Sequence, residues 1–266
     1  MSAPGGESTR PLAVVTGASA GIGREFCRQL AIGGYDLLVV ARDSARLETL
    51  RRELEEQHEV AVDVFPADLA RDDDVTRLAG VVAASPRLQL LVNNAGFGTR
   101  GPLVDASPAR QEEMLRVHVF APMRLSQAAL PVLQKQGSGA IVNVSSVASF
   151  VYSAENVNYC ATKAYLTTFS EGLAAELRSS GVRVQALCPG FTRSEFHQRM
   201  ELDADALPGW MWLSAERVVR DSLRNLHRRG PVICVPSLRY KLIVLLLRHL
   251  PRWVIGWVSR RRPAGM

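Results

Sequence analysis

The sequence predicts an α/β fold built on a doubly wound parallel sheet. Three observations carry this. Strand-like and helix-like segments alternate along most of the 266 residues. Several strand-like segments are unbroken apolar runs, the pattern expected when helices cover both faces of a sheet. The chain is 47% hydrophobic yet poor in aromatics, which gives it enough small and aliphatic surface for one large core.

The elements follow in order. "PLAVVTG" is a buried strand bounded by Pro and Gly, and "GIGREFCRQLAIGG" is a helix closed by glycine. "YDLLVVAR" is the second strand, and "SARLETLRRELEEQH" is a helix with a charged outer face. "VAVDVFPADL", "LQLLVNNAG", "GAIVNVSS", "VRVQALCPG" and "PVICVP" supply five more strands. Helices are expected near 71–84, 107–135, 156–179 and 215–228. Such a sheet binds ligands outside the carboxyl ends of its strands. The expected division is a dinucleotide-binding and catalytic domain over 10–236 and an apolar-basic extension over 237–266.

Composition narrows the class. The four cysteines, Cys27, Cys160, Cys188 and Cys234, form no CxxC pair, so reduced thiols are expected and no metal site. The opening residues lack the basic and apolar regions of a signal peptide, so a cytoplasmic setting is expected. The net charge of +6 sits at one end: no acid follows Asp221 while ten Arg and Lys do, leaving the first 221 residues at −4. That asymmetry argues against a nucleic-acid binder.

"TGASAGIG", Thr16 to Gly23, joins the first strand to the first helix. Gly17 permits a tight turn, Gly21 a close backbone approach and Gly23 close helix–sheet packing, while the helix N-terminus faces a pyrophosphate. Ser19 and Ile22 belong to the same loop. A second candidate is "NVNYCATKAY", where Tyr159 and Tyr165 flank Lys163. Residues four apart on a helix share a face and residues two apart do not. Taken alone, such a Tyr–Lys pair reads as a surface contact.

"TGASAGIG", "NNAG" (Asn93 to Gly96), "VSS", "YCATK" and "CPGFTRS" occur in the order of the short-chain dehydrogenase/reductase family. Residues 10–235 resemble that family, which implies a single Rossmann-like domain and nicotinamide chemistry. The family's YxxxK spacing implies that Tyr159 pairs with Lys163, and its Ser lies thirteen residues earlier, at Ser146 rather than Ser145. A nearby ammonium favours phenolate, so Lys163 is expected to draw Tyr159 toward neutral pH and to reach the nicotinamide ribose. Ser146 is expected to hydrogen-bond the substrate oxygen. The family usually carries Asn on its fourth helix where "VHVFAP" has His118. His118 either hydrogen-bonds as that Asn does or is a helix histidine satisfied by its neighbours.

Cofactor choice is read at the end of the second strand. No acid stands there to repel a 2′-phosphate, and Arg42 stands ready to bind one. Together with the family's habit this implies NADP(H). Asp68 is a candidate for the adenine amino group or for a helix N-cap before "ARDDD". By resemblance Asn93, Ala95 and Gly96 line the cofactor, and Pro189, Gly190 and Ser194 touch the nicotinamide carboxamide.

The stretch "SLRYKLIVLLLRHLPRWVIGWVSRRR" is too short in its apolar run to span a bilayer, which needs about twenty residues. Residues 238–262 suit a membrane interface, a packed terminal helix or the wall of an acyl pocket. "LPGWMWL" at 207–213 lies where the family carries its substrate loop. The expectation is an NADP(H)-dependent oxidoreductase acting on a hydrophobic carbonyl or alcohol, of 3-oxoacyl lipid type, working as a homodimer or homotetramer. The rivals are an NAD-dependent alcohol or steroid dehydrogenase and a catalytically silent nucleotide-sensing scaffold.

Overall fold

The computed structural model describes residues 9–99, 101–193 and 208–250. All seven expected strands form one parallel sheet: β1 (Leu12–Thr16), β2 (Asp36–Ala41), β3 (Val62–Pro66), β4 (Leu88–Asn93), β5 (Ala140–Val144), β6 (Arg183–Leu187) and β7 (Ile233–Cys234). Their order is β3-β2-β1-β4-β5-β6-β7. The order reverses between β1 and β4, which opens a crevice at their carboxyl ends.

Helices α1 (Gly21–Ile32), α2 (Ser44–His58), α3 (Asp72–Ala83), α4 (Pro108–Leu115), α5 (Ala121–Gln136), α6 (Val157–Glu176), α7 (Ala215–His227) and α8 (Leu238–His249) flank the sheet. Their starts follow local chemistry. Asp43, Ser107 and Ser214 each cap a helix by accepting an amide hydrogen bond three residues on. Asp68 is not the cap of α3. Arg71 holds that place without a side-chain bond, and Asp68 instead accepts from the Ala70 amide. The helix expected over 107–135 is one run broken by a π turn at Arg116–Phe120 that contains His118.

Alternate strand residues enter two cores. Ala13, Val15, Leu37 and Val39 pack with Phe26 and Leu30 of α1, whereas Val14, Leu38 and Val40 pack with Leu78 of α3 and Leu125 of α5. This explains why the strands read as apolar runs. Each buried Val or Leu contributes about 1.5–3 kcal/mol, so the sheet is rigid where the strands end. Helix α8 joins the first core through Tyr240 and Val244.

Candidate active site

The carboxyl ends of β1, β2, β4, β5 and β6 bring the sequence-derived residues to one edge of the sheet. After β1, Gly17 and Gly21 adopt positive φ of 66° and 55°, a conformation costly for other residues. A Cβ at Gly23 would lie 2.2 Å from the Gly17 oxygen, so only glycine lets α1 start this close to the turn. Ala20 precedes α1 without a side-chain cap, and no acid sits in the first turn. The amides of Gly21, Ile22 and Gly23 therefore form an uncapped, positively polarised terminus suited to a pyrophosphate. The donor set fits a dinucleotide.

The turn is held from beneath by two residues that the sequence did not single out. Thr16 Oγ1 accepts from the amides of Asn94 and Ala95 at 2.9 and 3.1 Å. Asn94 Nδ2 donates to the carbonyls of Thr16 and Gly17 at 2.9 and 3.2 Å. The NNAG motif thus braces the glycine turn through its second asparagine. Asn93 does something else. Its side chain turns into the interior and donates to Asn143 Oδ1 at 2.9 Å, and Asn143 passes the network on to Ser170 Oγ. This inward turn leaves the backbone of Asn93 as the part that can line the cofactor crevice.

Ser146, Tyr159 and Lys163 come together after β5 and along α6. Ser146 hydrogen-bonds Tyr159. Lys163 Nζ lies 5.7 Å from the centre of the Tyr159 ring and donates to the Val144 carbonyl at 2.9 Å. Ser145 points away and bonds the Lys163 carbonyl and Thr167 at 2.7 and 2.9 Å. Tyr165 lies on another face, stacked on Phe169. The residues that the family resemblance implies, Ser146 and Tyr159, thus face each other, while Ser145 and Tyr165 turn elsewhere.

The electrostatics differ from expectation. Burial pushes the Tyr159 phenol up to about 12, and its hydrogen bond with Ser146 offsets this only in part. Burial also pushes the Lys163 ammonium down, to about 8. At neutral pH the pair is a protonated phenol beside a cationic lysine, which suits proton donation.

His118 is fully buried and fully engaged. Its Nε2 accepts from the Phe97 amide at 3.0 Å. Nδ1 lies 3.0 Å from Thr162 Oγ1, which donates to the Tyr159 carbonyl at 2.9 Å. These partners fix a neutral Nδ1–H tautomer. Burial, and then the Lys163 charge, hold it well below the usual histidine range. It is a brace between the 95–97 segment and α6, not a general base.

Arg42 follows β2, 58% exposed, with Nη1 3.5 Å from Glu113 Oε1. Asp68 is half-buried after β3. Pro189 and Gly190 follow β6, and the Val147 amide donates to the Pro189 carbonyl at 3.0 Å, tying this turn to the Ser146 segment. Ser194 lies outside the described residues. Trp210 is exposed, while Trp212 packs at 5.9 Å against Phe191. A groove of about 660 Å³ runs between Phe150, Tyr152, Val157, Ala161 and Leu247.

Comparison with known proteins shows the family and the fold. A family model described as short chain dehydrogenase matches residues 11–205. A very-long-chain 3-oxoacyl-CoA reductase of Coprinopsis cinerea is 36% identical over 177 residues, 65% of this chain and 52% of that protein. The chain thus spans about half the length of that relative. A solved short-chain dehydrogenase from Sphingobium yanoikuyae in complex with NADPH superposes with a TM-score of 0.82 at 33% identity, covering 96% of this chain and 98% of the other. The bulky-bulky ketone specific alcohol dehydrogenase from Comamonas testosteroni gives a TM-score of 0.79 at 29% identity, covering 97% and 98%.

Proposed function

The chain belongs to the short-chain dehydrogenase family and is an oxidoreductase that uses a nicotinamide cofactor, and from that premise we propose that it is an NADP(H)-dependent reductase of hydrophobic ketones. The substrate is a carbonyl of 3-oxoacyl lipid type, reduced to a secondary alcohol. The Ser146–Tyr159–Lys163 cluster at the carboxyl end of β5 carries the reading.

Gly17, Ser19, Gly21, Ile22 and Gly23 would hold the pyrophosphate, Arg42 the 2′-phosphate and Asp68 the adenine. Ala95, Gly96, Pro189 and Gly190 would line the rest. The nicotinamide supplies the hydride. Ser146 orients the substrate oxygen by a hydrogen bond. Tyr159, held protonated by burial, donates its proton to that oxygen as negative charge develops there. Lys163 then stabilises the phenolate left behind across the 5.7 Å to the ring. Burial of both groups strengthens that attraction at the moment charge appears.

The apolar groove beside α6 and the likeness to a 3-oxoacyl-CoA reductase support a lipid-like substrate. One observation favours the NAD reading: Glu113 places a carboxylate beside Arg42. A cofactor-consumption screen over 3-oxoacyl esters, steroids and small ketones, run with NADPH and NADH, tests the proposal. Turnover confined to NADH would overturn the cofactor choice, and no turnover with any ketone would overturn the reaction.

The same reading includes a homodimer or homotetramer and a catalytic unit of 10–236. Phe120, Val157 and Tyr165 are exposed apolar side chains near α6 that a partner copy would cover. Sedimentation of the purified protein reads this directly, and a monomer would contradict it.

Peripheral contact with an anionic membrane completes the proposal. No described helix is long and apolar enough to cross a membrane. Helix α8 nevertheless exposes Leu238, Leu242, Leu245 and Leu246, beside Arg239, Lys241 and Arg248. Residues 251–262 lie outside the described residues. Near an anionic surface each cation contributes about 1 kcal/mol, weakened by salt. Failure to co-sediment with anionic vesicles at low salt would contradict the contact.

A further inference from the structure

We propose that Tyr240, on the first turn of α8, is a positioning residue that sets the Pro189–Gly190–Phe191 turn for the nicotinamide end of the cofactor. The inference rests on the cofactor site proposed above.

The ring of Tyr240 is 4% exposed and lies directly on Gly190. A Cβ at Gly190 would sit 2.0 Å from Tyr240 Cζ, so glycine here makes room for this ring rather than for an unusual backbone angle. The hydroxyl uses both of its capacities. It accepts from the Phe191 amide at 3.2 Å and donates to the Met211 carbonyl at 2.7 Å. One phenol therefore joins the two stretches that already pair through Leu213 N–H to the Phe191 carbonyl at 2.8 Å.

The turn has three supports. The Val147 amide holds Pro189, Leu213 holds Phe191, and Tyr240 holds Gly190 and Phe191. The Thr192 hydroxyl adds a short-range bond to the Gly190 carbonyl at 3.0 Å, whereas Tyr240 reaches the turn from a distant helix. Arg239 reinforces it from the next position by donating to the Trp210 carbonyl at 2.5 Å. The start of the C-terminal helix is therefore part of the wall of the site. Removing the hydroxyl leaves the Phe191 amide and the Met211 carbonyl short of a partner while the packing on Gly190 remains.

The glycine turn follows β1 and Arg42 follows β2, on other elements than the turn that Tyr240 holds. A loss transmitted through Gly190 must therefore weaken the nicotinamide end alone. A merely structural role would weaken every ligand together.

The experiment measures binding of NADPH and of 2′,5′-ADP, which lacks the nicotinamide, to the full chain and its Tyr240→Phe variant, with thermal unfolding of both. The expected result is an NADPH Kd raised roughly three- to tenfold, with 2′,5′-ADP affinity unchanged within about twofold. Tyr240→Leu, which removes the hydroxyl and the ring that lies on Gly190, is expected to give the same split and serves if Tyr240→Phe does not fold. Parallel loss of both ligands, or unchanged NADPH binding in a folded variant, overturns the inference while the cofactor site stands. A wild-type protein that binds neither ligand overturns the cofactor site and the inference with it.

Discussion

His118 Nδ1 lies 3.0 Å from Thr162 Oγ1, and through that hydroxyl the histidine is joined to the Tyr159 carbonyl. Its other nitrogen takes the Phe97 amide. One buried side chain therefore sets the distance between the segment after β4 and the helix that carries Tyr159 and Lys163. His118→Leu leaves the Phe97 amide without its acceptor, at a cost of about 1–3 kcal/mol. Thermal unfolding is expected to show a drop of several degrees. An unchanged midpoint would contradict the bracing role.

The same residue gives the fold a pH dependence. Folded His118 resists protonation well below 6.5, whereas the unfolded chain takes up the proton near 6.5. The unfolded state thus binds more protons as pH falls from that value, and stability falls with it, by up to about 1.4 kcal/mol per pH unit. Unfolding midpoints between pH 7.5 and 5.5 are expected to decline for the wild type and to flatten in His118→Leu. A slope that survives the substitution would assign it to other groups.

Lys163 sets a second pH limit. Its ammonium is pushed down from 10.5 to about 8 by burial. kcat/KM for NADPH, which reports the free enzyme, is expected to be level below pH 8 and to fall above it. Folded Lys163 gives up its proton between about 8 and 10.5 while the unfolded chain keeps it, so the fold gains stability over the window in which activity is lost. A profile level to pH 10 would contradict this assignment.

On the proposed reading, Arg42 selects between the two cofactors. Because it is 58% exposed and already shares charge with Glu113, the expected effect of Arg42→Ala is roughly tenfold in kcat/KM for NADPH, with NADH little changed. Glu113→Gln is expected to act the other way and to favour NADPH. Steady-state kinetics with both cofactors checks this. A wild-type preference for NADH would reverse the reading of this strand end.

The sheet was legible because its signals are local. The runs in β1, β2 and β4 are apolar on both faces, and the glycine turn follows the first of them directly. Ser146 and Tyr159 stood out only through the family resemblance, since the spacing alone reads as a surface pair. The roles of Asn93 and Asn94 were not, since one residue of register decides which of two asparagines faces the core and which braces the turn. The acidity of Tyr159 also escaped the sequence: it depends on burial, which the YxxxK spacing does not encode. Tyr240 sits in a stretch whose composition reads as tail or membrane contact. Only the fold brings it onto Gly190.

The most direct test of the central claim is Tyr159→Phe, assayed together for NADPH binding and for NADPH-dependent ketone reduction. In the proposed mechanism the phenol supplies the proton, while the amides that would hold the pyrophosphate lie on another element. The account predicts cofactor affinity within about twofold of wild type and the loss of at least about a hundredfold in turnover, the range expected for removing a general acid. Tyr165→Phe, stacked on Phe169 away from the cluster, is expected to leave turnover unchanged. Near-wild-type turnover by Tyr159→Phe would contradict the account.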